Sequence, residues 1–153
     1  MRASAPGRAH GITAGYDLSD DSYVLELNRV TDGRTLLAAI IPDEDPAREP
    51  VISVNPGLQP TEIPYEVMRW FLQQVEEEID TVRAWMLLRP ELVTLIHELI
   101  QEYRGAVDDA GFPAVLARVR AAVPAADVTT VIQAAFSGRT PADFGVPDQG
   151  SAP

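Results

Sequence analysis

The hydrophobic pattern of this chain changes its period near Pro64. Before that residue, "SYVLELNRV" (22–30), "RTLLAAII" (34–41) and "VISV" (51–54) are β-rich runs bounded by turn residues, as strands are. After it, apolar residues recur at steps of three and four, which places them on one helix face: Val67, Phe71, Val75, Ile79, Val82 and Met86. Strands followed by helices indicate an α+β fold.

A hairpin is the strongest local prediction. Asp32-Gly33 tolerates the positive φ angles of a two-residue type I′ turn and joins the first two runs. In that register Leu25 faces Ile40 and Leu27 faces Ala38, so these pairs are expected on the core side of the sheet.

The predicted fold is a three-stranded antiparallel sheet followed by four helices packed on one sheet face. The helices are expected after Pro64, from Pro90 to Tyr103, over 113–123 and over 128–136, with a last turn through Phe144. Residues 16–144 are expected to form one domain. Residues 1–15 and 145–153 are small, polar and rich in Pro and Gly, so we predict mobile tails there.

Composition excludes several kinds of chemistry. The chain has no cysteine, and all twelve basic residues are arginine. Thiol nucleophiles, thiolate metal sites, Schiff-base lysines and phosphate-loop lysines are therefore excluded. We predict no cofactor and no metal site.

The charge balance limits the partners. The net charge is −11, and no window supplies the basic face that phosphate binding requires, so nucleic acid and anionic membranes are not expected partners. A protein with a basic surface fits better. The chain shows no targeting segment and no apolar run of about 20 residues that could cross a bilayer, so we expect a cytoplasmic protein.

Two residues are weak candidates for catalysis. Glu78 is the acid of "EEEID" that turns toward the apolar stripe, where it could have a raised pKa, pair with a buried arginine, or reach solvent at the stripe's edge. His97 lies on the border of the second helix's stripe, and Thr94 stands where an Glu-x-x-His metal pair would need its glutamate. A boundary histidine with a hydrogen bond is the simpler interpretation.

Trp70, Trp85 and Leu72 widen the stripe of the first long helix. They are candidates for an interface as well as for the core. Because a small sheet covers only part of such a stripe, we predict a homodimer through the helices. The leading hypothesis is a non-enzymatic, acidic protein–protein interaction module of the adaptor, chaperone or inhibitor kind. The alternatives are a small hydrolase that uses Glu78, His97 or both, and a regulatory domain that senses a small molecule.

Overall fold

The protein divides into two compact units, Met1–Met86 and Leu87–Pro153. A computed structural model describes residues 3–4, 9–55, 62–136 and 138–145. The first unit contains β1 (Ala3–Ser4), β2 (His10–Asp17), β3 (Ser22–Arg29), β4 (Arg34–Pro42), β5 (Val51–Val54) and helix α1 (Tyr65–Met86). The second contains helices α2 (Pro90–Tyr103), α3 (Phe112–Ala122) and α4 (Ala125–Ala135) and a 3₁₀ helix (Pro141–Phe144). The fold is α+β.

The sheet has more strands than the sequence predicts. β2, β3, β4 and β5 form an antiparallel meander in chain order, and the two-residue β1 pairs with β2. The prediction of three strands is therefore wrong, because β2 was assigned to the N-terminal tail. The glycines and alanine of "HGITAGYD" weaken its strand signal, although Ile12 and Tyr16 lie at even spacing. β2 pairs with β3 along all eight of its residues.

The hairpin between β3 and β4 is present, but its turn and register differ from the prediction. Gly33 has a φ of 68°, and Asp32 is not among the positive-φ residues, so the turn is not type I′. The loop has four residues, 30–33, and the Gly33 amide donates to the Arg29 carbonyl at 2.8 Å.

The longer loop changes the pairing along the hairpin. Leu25 pairs with Ala39 and Leu27 with Leu37, and a register shift follows Leu27. Leu25 and Leu27 are buried as predicted, but their partners differ by one residue. A turn dipeptide locates a hairpin, whereas the register depends on the loop length and on the bulge.

The core of the first unit lies between the sheet and α1, which contacts β4. Its buried side chains include Ile12, Leu25, Leu27, Leu37, Ala39, Ile41, Val67, Phe71, Val75, Val82 and Trp85. The prediction that all four helices cover one sheet face stays a prediction.

The second unit has its own apolar core. α4 contacts both α2 and α3. The buried residues of this second core include Leu92, Leu95, Ile96, Leu99, Ile100, Phe112, Val115, Leu116, Val119, Val131 and Ile132. Asp143 accepts hydrogen bonds from the Thr140 amide and hydroxyl at 2.6 and 2.9 Å, and Phe144 stacks on Phe112 with ring centroids 3.8 Å apart. The predicted last turn through Phe144 is confirmed.

The predicted tails need one correction. β2 begins at His10, so residues 10–15 belong to the sheet and not to a tail. Residues 1–2 and 5–8 of the predicted N-terminal tail and residues 146–153 of the predicted C-terminal tail lie outside the described residues. The single domain over 16–144 stays a prediction.

Candidate functional site

The edge strand β5 is the most exposed apolar feature of the first unit. It lies at one end of the sheet order, and all four of its residues are exposed. The exposed fractions are 53% for Val51, 44% for Ile52 and 66% for Val54. Among the described residues, none pairs with the outer side of this strand.

The loop that leads into β5 is acidic. Residues 43–50 contain four acids and one base, Arg48. Arg48 donates to both carboxylate oxygens of Asp20, at 2.8 and 2.9 Å, so its charge is partly neutralised outside the loop. Glu44, Asp45 and Glu49 are exposed. Within the described part of the chain they form no salt bridge, which leaves this end of the strand negative.

A second feature of the first unit is a group of tyrosines and carboxylates. The buried Asp43 accepts a hydrogen bond from the Tyr16 hydroxyl at 3.0 Å. The Tyr16 and Tyr23 rings pack edge to face, with centroids 5.1 Å apart. Burial raises the pKa of Tyr23 well above its ordinary value, and the charges of Asp43 and Glu78 raise it further. Burial, followed by Asp43, raises the pKa of Tyr16 in the same way. Both hydroxyls therefore stay protonated at neutral pH, and the Tyr16 hydroxyl donates to Asp43.

Glu78 is the acid that the sequence places toward the apolar stripe. It is half-buried, and burial raises the pKa of its carboxyl above the ordinary 4.5. No described residue gives it a salt bridge or a hydrogen bond, so the alternative in which Glu78 pairs with a buried arginine is not found among those residues. Ionisation of the half-buried Glu78 carboxyl therefore lowers the free energy of unfolding, because no ion pair among those residues compensates for its lost hydration.

His97 lines a groove on the second unit. The groove is open, has a volume of about 650 Å³ and is lined by Val93, Thr94, His97, Glu98, Gln101, Glu102 and Arg118. Arg118 donates to Glu102 at 2.5 Å and to Glu98 at 3.1 Å. The Thr94 hydroxyl donates to the Pro90 carbonyl at 3.0 Å. The charged groups of the groove, Arg118, Glu98 and Glu102, are thus paired with each other. The Thr94 hydroxyl already donates a hydrogen bond to the backbone.

The predicted interface residues differ in exposure. Trp85 is 4% exposed and belongs to the core, Trp70 is half-buried, and Leu72 is 42% exposed. Tyr65, at the start of the same helix, is 73% exposed. A surface on α1 would therefore be built from Leu72 and Tyr65, which lie seven residues apart on one side of the helix, whereas Trp70 lies beyond the opposite edge of the buried stripe.

Comparison of the chain with protein-family models, with curated proteins and with solved structures gave no match. In the described part of the chain, no helix is long and apolar enough to cross a membrane. Over the same residues, no three His, Asp or Glu side chains are grouped so that they could hold a metal ion.

Sequence reasoning missed the two features of the first unit that carry most chemistry. "VISV" was recognised as a strand, but its place at the sheet edge follows from the whole strand order. Asp43 lies in "PDEDPAREP" (42–50), where three prolines and four acids predict an irregular segment, and the sequence pattern did not place Tyr16 in a strand. A usable signal was the even spacing of Ile12 and Tyr16, which would have added β2 and brought Tyr16 beside Tyr23.

Proposed function

We propose that this chain is a non-enzymatic protein–protein interaction module that uses the edge strand β5. The observation that carries the proposal is the exposure of Val51, Ile52 and Val54 on a strand whose outer side no described residue covers. Exposed apolar side chains on a free sheet edge are a common site of association. The acidic loop before the strand supports selectivity for a protein with a basic surface.

The experiment is affinity capture from the native cell extract with two forms of the chain. One is the unchanged protein, and the other carries Val51→Thr and Val54→Thr, which keep β-branched side chains on the strand but remove apolar contact area. A partner retained by the first and lost by the second supports the proposal. If neither form retains any protein, or if both retain the same proteins equally, β5 is not the interaction surface.

The hydrolase alternative has one supporting observation, the raised pKa of Glu78. A general acid near neutral pH requires such a shift. His97 lines a groove in which a substrate could bind. The Arg118 side chain there is paired with Glu98 and Glu102, however, and the Thr94 hydroxyl donates to a backbone carbonyl. The small-molecule sensor calls for an enclosed apolar cavity, whereas the groove is open and six of its seven lining residues are polar or charged. We therefore rank both below the interaction module.

The homodimer through the helices is a separate proposal. The exposure of Leu72 and Tyr65 on α1 supports it. The burial of Trp85 and of most of the α1 stripe within the chain reduces the apolar area available for it. A cytoplasmic location also stays a prediction.

A further inference from the structure

We propose that the outer edge of β5 binds an extended, basic segment of a partner protein, which pairs with the sheet as an additional strand. This inference rests on the proposed interaction function and adds the chemistry and the geometry of the partner. It depends on the backbone of β5, on its side chains and on the charges beside it.

The backbone of β5 has one side occupied and one side open. Ser53 pairs with Ala38 on β4, and the Asn55 amide donates to the Leu36 carbonyl at 3.3 Å. Because successive residues of a strand direct their N–H and C=O groups to opposite sides, residues 53 and 55 face β4. Ile52 and Val54 therefore direct their N–H and C=O groups away from the sheet, where no described residue pairs with them.

The side chains of β5 do not protect this edge. Natural edge strands are commonly protected by charged residues, by proline or by a bulge. None of the four residues of "VISV" is charged or proline, and the pairing of β4 with β5 has no register shift. An added strand would continue a sheet that already has the correct twist and spacing.

The charges beside β5 determine what kind of partner strand can bind there. Four residues provide outward backbone groups at only two positions, so pairing alone gives a weak site and the flanks must add to the affinity. Glu44 and Glu49 are exposed in the loop before β5, and the loop's one base is paired with Asp20. A basic segment gains attraction there, whereas a second copy would bring the same acids to the same edge.

The probe is a short synthetic peptide, Arg-Arg-Val-Thr-Val-Thr-Arg-Arg, with its ends blocked. One control peptide has glutamate in place of every arginine. The other keeps the arginines and carries an N-methyl group on the amide of every central residue, which removes the donors along both edges. Binding is measured by fluorescence anisotropy, and amide hydrogen exchange locates it on the full chain.

The matched variants are Ile52→Pro and the double variant Glu44→Gln with Glu49→Gln. Ile52→Pro removes an outward donor without removing a bond to β4, a position at which edge strands accept proline. We expect the basic peptide to bind the unchanged chain and to protect the amides of Ile52 and Val54. We expect binding to weaken about tenfold or more for Ile52→Pro and for the N-methylated peptide, because each loses backbone hydrogen bonds to the edge. We expect a loss of about tenfold or more for the glutamate peptide and of several-fold for the double variant, because each removes attraction between the peptide and the acidic loop.

Three results overturn the inference. The first is an absence of binding by the basic peptide, and the second is binding that Ile52→Pro leaves unchanged. The third is amide protection of Ile52 and Val54 that rises with protein concentration in the absence of peptide. That result would assign the edge to a second copy of the chain. Circular dichroism and thermal unfolding check that Ile52→Pro is folded. If it is not, the N-methylated peptide gives the same test of backbone pairing on the unchanged chain. A partner captured equally by the unchanged chain and by Ile52→Pro would refute this inference while leaving an interaction function in place.

Discussion

At the scale of single residues, Gly33 gives a direct test of the hairpin. Its φ of 68° is in the left-handed region, and a Cβ added there meets no atom within 4 Å. The cost of Gly33→Val is therefore conformational, and we expect a loss of about 1–2 kcal/mol in the free energy of unfolding. Gly15→Val is the control, since Gly15 lies in β2 without a positive φ and also has open space at its Cβ. Chemical denaturation that finds equal stability for Gly33→Val and the unchanged chain would contradict this turn.

Glu78 gives a prediction with a definite sign. Its folded-state pKa is raised above 4.5 by burial, so the folded state binds more protons than the unfolded state once the pH exceeds that value. Stability contributed by the neutral carboxyl is present below the ordinary pKa and is lost as pH rises through the folded-state pKa.

The glutamine side chain of Glu78→Gln is neutral at every pH, so this variant does not lose stability when the pH rises. We expect its free energy of unfolding near neutral pH to equal or exceed that of the unchanged chain. Denaturation at about pH 4 and about pH 7 measures the difference, with the exposed Glu76→Gln as control. A loss of more than about 2 kcal/mol would instead indicate a buried carboxylate with a partner.

The residues also show the limit of prediction from sequence. The inward direction of Glu78 follows from a helical period of about 100° per residue, and its burial agrees. The proximity of Glu78 to Tyr23 could not be predicted, because Tyr23 lies on β3, which is distant from α1 in the sequence. Helical periodicity gives a direction for a side chain, and only the fold gives its contacts.

At the scale of elements, β2 determines how much of the N-terminus can be removed. Deletion of residues 1–15 takes away six of the eight residues of β2, including Ile12, which is 4% exposed. We expect a large drop in Tm or a failure to fold, because β3 becomes an edge and the core loses Ile12. Deletion of residues 1–8 removes only the two-residue β1, leaves β2 whole and is the matched control, with a small expected change. Equal Tm values for the two deletions would show that β2 contributes little.

The elements were predictable where the pattern is long. The helices from Pro90 and after Pro64 begin within a residue of their predicted places, because many periods of apolar residues support each of them. β2 was missed, because a strand with two glycines and an alanine resembles a polar tail. The exposed edge was also missed, since an edge is a property of strand order and not of any one strand.

At the scale of the whole molecule, the net charge of −11 gives opposite salt dependences to the two kinds of association. Binding of a basic segment at β5 should weaken as salt is raised, because salt screens attraction between opposite charges. Association between two copies should strengthen, because the same screening reduces repulsion between like charges. The Debye length falls from about 30 Å at 0.01 M salt to about 8 Å at physiological ionic strength, so the effect is large over an accessible range.

The last prediction is therefore that self-association of this chain strengthens from low to physiological salt. Sedimentation equilibrium at two salt concentrations measures it, and Leu72→Gln tests the helix surface, since Leu72 is 42% exposed on α1. We expect the association constant of the unchanged chain to be higher at the higher salt concentration. We expect the association constant of Leu72→Gln to be lower than that of the unchanged chain at both salt concentrations. A monomer under both conditions would remove the dimer, and self-association that weakens with salt would require contacts between unlike charges of the two copies. Association unchanged by Leu72→Gln would place the dimer surface away from this part of α1.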